Sequence, residues 1–366
     1  MAERGNSVVQ LQVESTPYAP ARPNRRSALA RNSAHLAGRG TSSLLWVPSL
    51  EASLGLLMSA HSRGVWDTIL MIEIPQVVRH QAVNVGADDW LVNLSDIVSE
   101  LATRWNITVG TTFPDATEAY VAEAVRDDGE LFVLKIHIPR EGGFAQSEIT
   151  TLRLANGDGC VLLVDYDVML GALLLERLGP SLRDLALSIS RRHEILCSVA
   201  ERMWRPAPDC GLPNGRQKVT TQMESIRSLW EELNHPCSER AVAYALECGE
   251  RRSAAHDDER AVLIHGDIHQ WNTLQAKDRF KLVDPDGGVA EAEFDLGVLM
   301  REDPVELMQG DSKARARYLA VRCGLDAEAI WEWGAVQRVW NGLLCLKDDL
   351  QPFGRQMLDA AEVCIE

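Results

Sequence analysis

Positive charge is scarce in this chain of 366 residues. It has 37 Lys and Arg against 53 Asp and Glu, which gives a formal net charge of −16. Proteins that bind nucleic acid need basic patches to meet the phosphates, so this balance argues against a nucleic-acid partner. An acidic cleft instead raises the local concentration of small cationic ligands, although net charge can equally serve solubility alone.

Long apolar runs and paired cysteines are also missing. A transmembrane helix needs about 18 or more consecutive apolar residues; the sequence has no such run, so we expect no membrane partner. The eight cysteines form no C-x-x-C pair, and a disulfide scaffold is not expected at this length. We predict reduced, mostly buried thiols in a cytoplasmic protein. Since no feature indicates an obligate dimer, we expect a monomer.

The first 72 residues lack the regular apolar spacing that appears later in the chain. Pro, Ser, Ala and Arg follow one another in loose order, with prolines at positions 17, 20 and 23. We therefore predict a poorly ordered N-terminal extension over residues 1–72. We also expect that deleting residues 1–70 would leave the activity of the remaining protein intact.

Regular patterns follow this segment. Residues 88–105 place apolar side chains at helical spacing. Two strand-like runs, Tyr120–Val125 and Leu131–Ile138, are joined by residues that include Asp128-Gly129, a strong hairpin signal. Lys135 lies inside the second run and, by the period of two, shares a face with Leu131 and Val133. Because burying an unpaired ammonium group is very costly, this lysine needs a partner or must extend to water.

A second hairpin is predicted from two more runs, Val161–Asp165 and Met169–Leu175, with Asp165–Asp167 as its turn. The strand then enters a short crossing segment around Gly179-Pro180, and helical patterns dominate after that point. Strands early in the chain and helices later predict an α+β fold of two lobes, joined by a hinge near residue 176.

The most informative stretch is residues 261–287. Ala261–Ile264 predicts a short buried strand, a polar loop with Asp267 and Asn272 follows, and a second strand, Phe280–Val283, ends at Asp284. The D-x-x-x-x-N spacing is that of the base and the metal-binding Asn of a kinase catalytic loop. Phosphoryl transfer depends on positioning and on hard oxygen ligands for Mg²⁺, and these three side chains supply oxygen atoms.

Two other interpretations of this stretch remain open from the residues alone. It could be a β-hairpin whose polar turn happens to hold two acids and an Asn. It could also be a metal-hydrolase site built on His265-x-Asp267-x-His269, although the further His and Asp ligands of such sites are missing.

The paired motif resembles a known family. His265-Gly266-Asp267-Ile268-His269-x-x-Asn272, followed by Val283-Asp284-Pro285-Asp286-Gly287, is similar to the signature of the aminoglycoside phosphotransferases, and in layout to their branch of streptomycin 6-kinases and hydroxyurea phosphotransferases. The resemblance implies a bilobal protein-kinase-like fold, with a small N-terminal lobe carrying an antiparallel sheet and a larger, mainly helical C-terminal lobe. It places the nucleotide-binding lobe at 73–176 and the catalytic and substrate-binding lobe at 177–366.

The resemblance also assigns roles within the predicted catalytic loop. Asp267 would orient the acceptor hydroxyl and accept its proton, while Asn272 and Asp284 would hold Mg²⁺. His265 would support the loop backbone. Asp295 would brace that loop by accepting its N–H groups, although it could equally be a plain helix N-cap.

Nucleotide binding is assigned upstream. Lys135 would grip the phosphates of ATP and be held by Glu148 on the helix predicted from Phe144, with Glu141 as a fallback. Backbone groups of Glu176 and Leu178 at the hinge would meet the adenine edge. The loop from Gly110 to Thr117, which would cover the phosphates, lacks the G-x-G-x-x-G pattern and is equally consistent with a surface loop.

The function implied is an ATP- and Mg²⁺-dependent transfer of the γ-phosphate to a hydroxyl of a small cationic molecule. Protein-kinase H-R-D, D-F-G and A-P-E motifs are absent, so we expect a small-molecule acceptor. The resemblance implies an antibiotic of the streptomycin type as the leading acceptor, and resistance by inactivation as the role. A metabolic kinase for an amino alcohol, sugar or hydroxyurea-like compound is the alternative, and a non-catalytic nucleotide-binding module is a third. Acidic residues near the C-terminus could meet a cationic substrate or simply face solvent; they are Glu302, Asp303, Glu306, Glu332, Asp348 and Asp349.

Overall fold

The computed structural model describes residues 72–114, 116–140 and 142–365. Apart from Ile72, the predicted N-terminal extension lies outside the described residues, and so do Asp115 and the fallback residue Glu141. The described chain is an α+β structure with strands in its first part and helices in its second, which confirms the predicted fold class.

The strands, in chain order, are β1 Ile107–Thr112, β2 Ala119–Arg126, β3 Leu131–His137, β4 Leu163–Asp167, β5 Ala172–Glu176, β6 Val262–Ile264, β7 Thr273–Ala276, β8 Arg279–Leu282 and β9 Gly288–Ala290. The helices are α1 Gln76–Asn84, α2 Asp88–Trp105, α3 Phe144–Ala155, α4 Ile189–Met203, α5 Gly215–Glu232, α6 Glu239–Ala255, α7 Glu293–Val298, α8 Pro304–Leu307, α9 Ala314–Cys323, α10 Ala327–Lys347 and α11 Phe353–Val363. A 3₁₀ turn at Leu182–Leu185 follows β5, with a capping box between Ser181 and Asp184 at its start.

The first five strands form one antiparallel sheet in the order β1-β2-β3-β5-β4. The hairpin of β2 and β3 lies where the sequence predicts it. The turn of the second hairpin does not: Asp165–Asp167 belongs to β4, and the chain reverses over residues 168–171. Asp167 Oδ1 accepts the N–H of Leu170 at 2.8 Å, and Gly171 supplies the left-handed backbone (φ 60°) that the reversal requires.

The two faces of this sheet pack against different helices. Leu134 and Ile136 of β3 point towards the apolar stripe of α2, including Leu94 and Leu101. Because alternate residues of a strand face opposite sides, Lys135 lies on the other face, where Leu173 packs against α3 in a separate core cluster. The sequence-predicted face of Lys135 is therefore confirmed.

The second part of the chain is built around α10. Most of its 21 residues are buried, on every side of the helix, and they include Trp331, Trp333 and Trp340. Burial on all sides is expected of a helix in the centre of a lobe. Helices α5, α6, α7, α9 and α11 surround it. The other described strands form two small antiparallel pairs, β6 with β9 and β7 with β8.

No helix in the ranges given above is both long enough and apolar enough to cross a bilayer. The eight cysteines are all free thiols, and five of them are buried. The boundaries of the lobes at residues 176 and 177 stay a prediction.

Candidate active site

Two loops with tight backbone connections form the centre of the site. Residues 265–272 link β6 to β7, and residues 283–287 link β8 to β9. The N–H of Val283 donates to the carbonyl of Asn272 at 2.8 Å, and the N–H of Gly287 donates to the carbonyl of His265 at 2.9 Å. Backbone bonds at both ends therefore fix one loop against the other, and the side chains on them keep constant relative positions.

Asp267 is at the centre of this arrangement and only 1% exposed. Its Oδ1 accepts from Arg301 Nη2, while its Oδ2 accepts from His269 Nε2 at 3.2 Å and Asn272 Nδ2 at 3.1 Å. Burial alone would raise the pKa of this carboxyl group, but the charges and hydrogen bonds of His269 and Arg301 lower it well below the usual range. Asp267 is therefore ionised and can only accept hydrogen bonds.

His265 supports the loop through both ring nitrogens. Its Nε2 donates to the carbonyl of Val283 at 2.9 Å, and its Nδ1 accepts the N–H of Asp267 at 3.2 Å. This pattern fixes one neutral tautomer, and burial lowers the pKa of His265 accordingly. A metal ion could bind neither nitrogen without breaking these bonds. The geometry contradicts the metal-hydrolase alternative.

Asp295 lies behind the loop. Its two oxygens accept the N–H groups of His265 at 3.1 Å and Gly266 at 2.8 Å, and the indole of Trp204 adds a third bond at 3.0 Å. Ala292, not Asp295, is the N-cap of α7, so the geometry matches the brace and not the plain cap. Burial raises the pKa of Asp295, and these donors act in the opposite direction.

Lys135 reaches the site from the sheet. Its Nζ lies 2.9 and 2.7 Å from the two oxygens of Glu148 on α3, and 2.6 Å from Asp284 Oδ1. Burial alone would lower the pKa of Lys135, but the charges of Asp284 and Glu148 raise it above its ordinary value. Burial alone would raise the pKa of Glu148, yet Lys135 and His137 hold it at about 2. The predicted Lys–Glu pair is thus formed between charged groups.

Asn272 contacts Asp267, and Asp284 follows Val283, whose N–H donates to the carbonyl of Asn272. The amide nitrogen of Asn272 donates to Asp267, so its Oδ1 is directed elsewhere, and among the described residues it accepts no hydrogen bond. Asp284 stands in a left-handed conformation (φ 57°) with 56% of its side chain exposed. An amide oxygen and an accessible carboxylate are hard ligands of the type Mg²⁺ binds, so the donor set fits that ion.

At the predicted hinge, the side chain of Glu176 stabilises the fold. It accepts the N–H of Leu162 at 2.7 Å and pairs with Lys281 of β8. The side chain of Leu178 is buried in the central core, whereas its backbone N–H and C=O make no hydrogen bond within the described chain. Any role of these residues in recognition therefore falls to their backbone groups.

Sequence reasoning assigned no role in the kinase site to several residues that contact it. His269 is one: its Nδ1 accepts the N–H groups of Trp271 and Asn272, so Nε2 carries the proton donated to Asp267. His137 is another, with Nε2 2.7 Å from Glu148 Oε2. The period of two that places Lys135 on its face also places His137 there, so this contact had a signal in the sequence.

Two buried cations were also missed. Arg301 follows α7 and contacts Asp267. Lys218 of α5 donates to Asp286 Oδ2 at 2.7 Å and to the carbonyl of Gly287 at 2.8 Å, holding the loop that carries Asp284. We find no signal in the sequence for either contact.

Four of the six acidic residues near the C-terminus have internal partners. Asp303 pairs with Arg192 and Glu306 with Arg315, while Glu332 lies between Arg251 and Arg252. Glu302 is buried and accepts from Gln270 Nε2 at 3.2 Å. Asp348 and Asp349 are exposed.

Solved structures identify the class of fold. A thermostable mutant of an aminoglycoside phosphotransferase, in ternary complex with ADP and hygromycin B, matches with a TM-score of 0.53 at 12% identity, over 73% of this chain and 97% of that one. Choline kinase from Streptococcus pneumoniae matches with a TM-score of 0.52 at 13% identity, over 75% and 99% of the two chains. The fold is thus that of the kinase-like small-molecule phosphotransferases.

The chain belongs to the aminoglycoside/hydroxyurea antibiotic resistance kinases, because the sequence model of that family matches residues 104–339, more than half of the chain. A streptomycin 6-kinase of Streptomyces glaucescens is 27% identical over 317 residues, which cover 82% of this chain and 97% of that protein. A hydroxyurea phosphotransferase of Kitasatospora aureofaciens is 26% identical over 310 residues, 81% of this chain and 86% of that protein. These matches confirm the resemblance predicted from the motif, and the protein is a phosphotransferase of this family.

Proposed function

We propose that this phosphotransferase moves the γ-phosphate of ATP, with Mg²⁺, to a hydroxyl of a small cationic molecule, most readily an aminoglycoside of the streptomycin type. The observation that carries the proposal is the gathering of Asp267, Asn272 and Asp284 beside the Lys135–Glu148 pair. The streptomycin 6-kinase similarity and the net charge of −16 support a cationic acceptor. Phosphorylation would inactivate the antibiotic and confer resistance.

Asp267 is the residue that receives the acceptor hydroxyl. Its carboxylate is ionised and held by donors on both oxygens, so it is a weak base in a fixed orientation. Phosphoryl transfer passes through a loose transition state in which positioning matters more than strong proton abstraction. A firmly held, weakly basic carboxylate suits that requirement.

Lys135 and the hinge would receive the nucleotide. The ammonium group of Lys135 is buried beside two carboxylates, and its charge can be shared with phosphate oxygens while Glu148 keeps it in place. The backbone N–H and C=O of Leu178 make no hydrogen bond to the residues that the structure describes, so they offer a donor and an acceptor of the kind an adenine edge requires. Asn272 and Asp284 would hold Mg²⁺, which neutralises the charge of the phosphates when bound.

The experiment is a panel assay that measures ADP release with ATP, Mg²⁺ and one acceptor at a time: streptomycin, hydroxyurea and choline. We expect turnover with streptomycin. Turnover with choline or another amino alcohol alone would favour the metabolic kinase, and nucleotide binding without turnover of any acceptor would favour a non-catalytic module.

The residue assignment is tested in the same assay. Asp267→Asn should lower kcat by about 10²–10⁴-fold, the usual effect of a positioned acid–base group. Asp278→Asn, in the exposed turn between β7 and β8, is the matched control and should leave kcat unchanged. Near-normal turnover of the Asp267 variant would refute the assigned role.

A further inference from the structure

Arg301 is a buried cation that the function outlined above does not yet use. It follows α7, is 3% exposed, and its backbone N–H donates to the carbonyl of Val298 at 3.2 Å. A guanidinium group stays charged in proteins, and removing it from water costs several kcal/mol unless partners compensate. The partners of Arg301 therefore indicate why the charge is there.

The guanidinium joins the catalytic loop to the central helix. Its Nη2 donates to Asp267 Oδ1, and its Nη1 donates to Gln337 Oε1 at 3.2 Å. Gln337 is fully buried in the middle of α10, and Asn341, one turn further along, donates to the same Oε1 at 3.0 Å. A continuous hydrogen-bonded path thus runs from α10 through Arg301 to Asp267.

The hydrogen bonds on Asp267 leave a defined acceptor position. A carboxylate offers about four lone-pair positions, two on each oxygen. His269 and Asn272 both donate to Oδ2, whereas Oδ1 has the single contact from Arg301 among the described residues. The position that remains for a further donor is therefore on Oδ1, the oxygen that Arg301 holds.

We propose that Arg301 is a positioning residue for phosphoryl transfer, which fixes the Asp267 carboxylate so that the second lone pair of Oδ1 meets the acceptor hydroxyl. The proposal rests on the role given to Asp267 in the proposed function. The planar guanidinium holds Asp267 and Gln337 through two separate nitrogens in a rigid fork, whereas a lysine offers one ammonium nitrogen on a flexible stem and fixes the carboxylate less firmly. Loss of the fork would let the carboxylate turn while the nucleotide site stays intact.

The test compares Arg301→Met and Arg301→Lys in the streptomycin assay, with Mg²⁺·ADP affinity measured by calorimetry. A misplacement of about 1 Å can cost about 100-fold in rate, so we expect kcat to fall about 100-fold in Arg301→Met, with the KM for ATP and the ADP affinity within about threefold. Arg301→Lys should recover part of that loss. Arg338→Lys is the matched control, because Arg338 is equally buried beside Gln337 but contacts the carbonyl of Met300, not Asp267.

A double-mutant cycle separates this proposal from the proposed function. If Arg301 acts through Asp267, Arg301→Met should change kcat by less than about threefold in the Asp267→Asn background, because residues acting as a unit are not additive. The proposal would be overturned if the kcat losses of Arg301→Met and Asp267→Asn multiplied in the double variant. It would also be overturned if folded Arg301→Met had the kcat of wild type. A rise confined to the acceptor KM would also overturn it, since Arg301 would then bind substrate.

Two outcomes need a separate measurement. If Arg301→Met does not fold, Arg301→Lys decides: a loss of about tenfold or more in kcat at unchanged ADP affinity supports the proposal, and wild-type kcat refutes it. If the Asp267→Asn variant has near-normal kcat, the role of Asp267 in the proposed function is refuted. That result comes from the single variant and does not depend on any change at Arg301.

Discussion

Replacing Glu148 with Gln tests the buried Lys135–Glu148 pair, to which the proposed function assigns the binding of the nucleotide phosphates. The substitution keeps the shape of the side chain and removes its charge, so that, among the described residues, Lys135 is left with Asp284 as its one carboxylate partner. Lys135 and Glu148 have side-chain exposures of 10% and 4%, so the lost interaction lies in a region that water screens weakly. Asp284 is more than half exposed and compensates in part.

The size of the effect follows from the pKa of Glu148. A fall from 4.5 to about 2 corresponds to roughly 3 kcal/mol at neutral pH. Breaking a buried ion pair costs about 3–5 kcal/mol, and the remaining contact with Asp284 places this case at the lower end. We therefore expect a loss of about 3 kcal/mol in the free energy of unfolding, or a Tm lower by about 5–10 °C.

The pH dependence gives an independent check. Because folding lowers the pKa of Glu148, its contribution is complete above about pH 4.5 and is lost as the pH falls towards 2. Urea unfolding of wild type and Glu148→Gln should therefore differ most at pH 7, and the difference should shrink as the pH falls below about 4.5.

A surface pair supplies the control for Glu148→Gln. Glu123 pairs with Arg177 at 3.2 Å, and both side chains are about a third or more exposed; such pairs contribute about 0–1 kcal/mol, so Glu123→Gln should change little. Calorimetry with Mg²⁺·ADP should show weaker binding, by about tenfold, in Glu148→Gln alone, which corresponds to about 1.4 kcal/mol. A Glu148 variant with wild-type Tm and nucleotide affinity would refute the reasoning.

Three further predictions concern stability and the N-terminal segment. Burial lowers the pKa of His193 to about 4, from 6.5. The unfolded state therefore takes up a proton first as the pH falls below 6.5, and up to roughly 3 kcal/mol of the free energy of unfolding is lost as the pH approaches 4. The urea midpoint of His193→Gln should depend less on pH between 7 and 4.5 than that of wild type, and an unchanged slope would contradict this. Gly287→Ala should cost more than about 2 kcal/mol, because its Cβ would lie 2.2 Å from Thr151 Oγ1 at φ 64°. Gly129→Ala, at φ 86° in open space, is its control and should cost about 1 kcal/mol by the same urea titration. Protein lacking residues 1–70 should retain full kcat, and loss of folded, active protein would contradict the prediction for that segment.

The parts of the site that sequence reasoning found share a physical basis. Asp267 and Asn272 lie five positions apart in one loop, and Lys135 is identified by alternation within a single strand. Glu148 follows from the helix predicted next along the chain. In each case the distance between the side chains is set by local backbone geometry, so their separation in the sequence predicts their separation in the structure.

The parts that it missed are long-range contacts of buried charges. Arg301 is 34 positions from Asp267, and Gln337 is 36 positions further along; Lys218 is 68 positions from Asp286. Arg and Lys are usually exposed, so composition predicts solvent-facing side chains at these positions. Their burial depends on how α5, α7 and α10 pack, which no local pattern specifies.

The misplaced turn at Asp165–Asp167 has a related cause. Polar residues suggested the reversal, but what the backbone needed was a residue at positive φ, and Gly171 was the position that could supply it. The acid of Asp167 then accepts the N–H of Leu170 and begins the turn. Turn chemistry depends on conformation more than on polarity.

The acidic composition of the C-terminal part illustrates the same limit for substrate choice. Asp303, Glu306 and Glu332 count as negative charges in the sequence, yet each is compensated by an internal arginine. A charge already paired in the fold adds little attraction for a cationic acceptor, because the field of the pair falls off faster than that of a single ion. Under the proposed function, the attraction of a cationic acceptor therefore rests on the overall charge of the protein and on exposed acids such as Asp348 and Asp349, and the orientation of Asp267 governs the transfer itself.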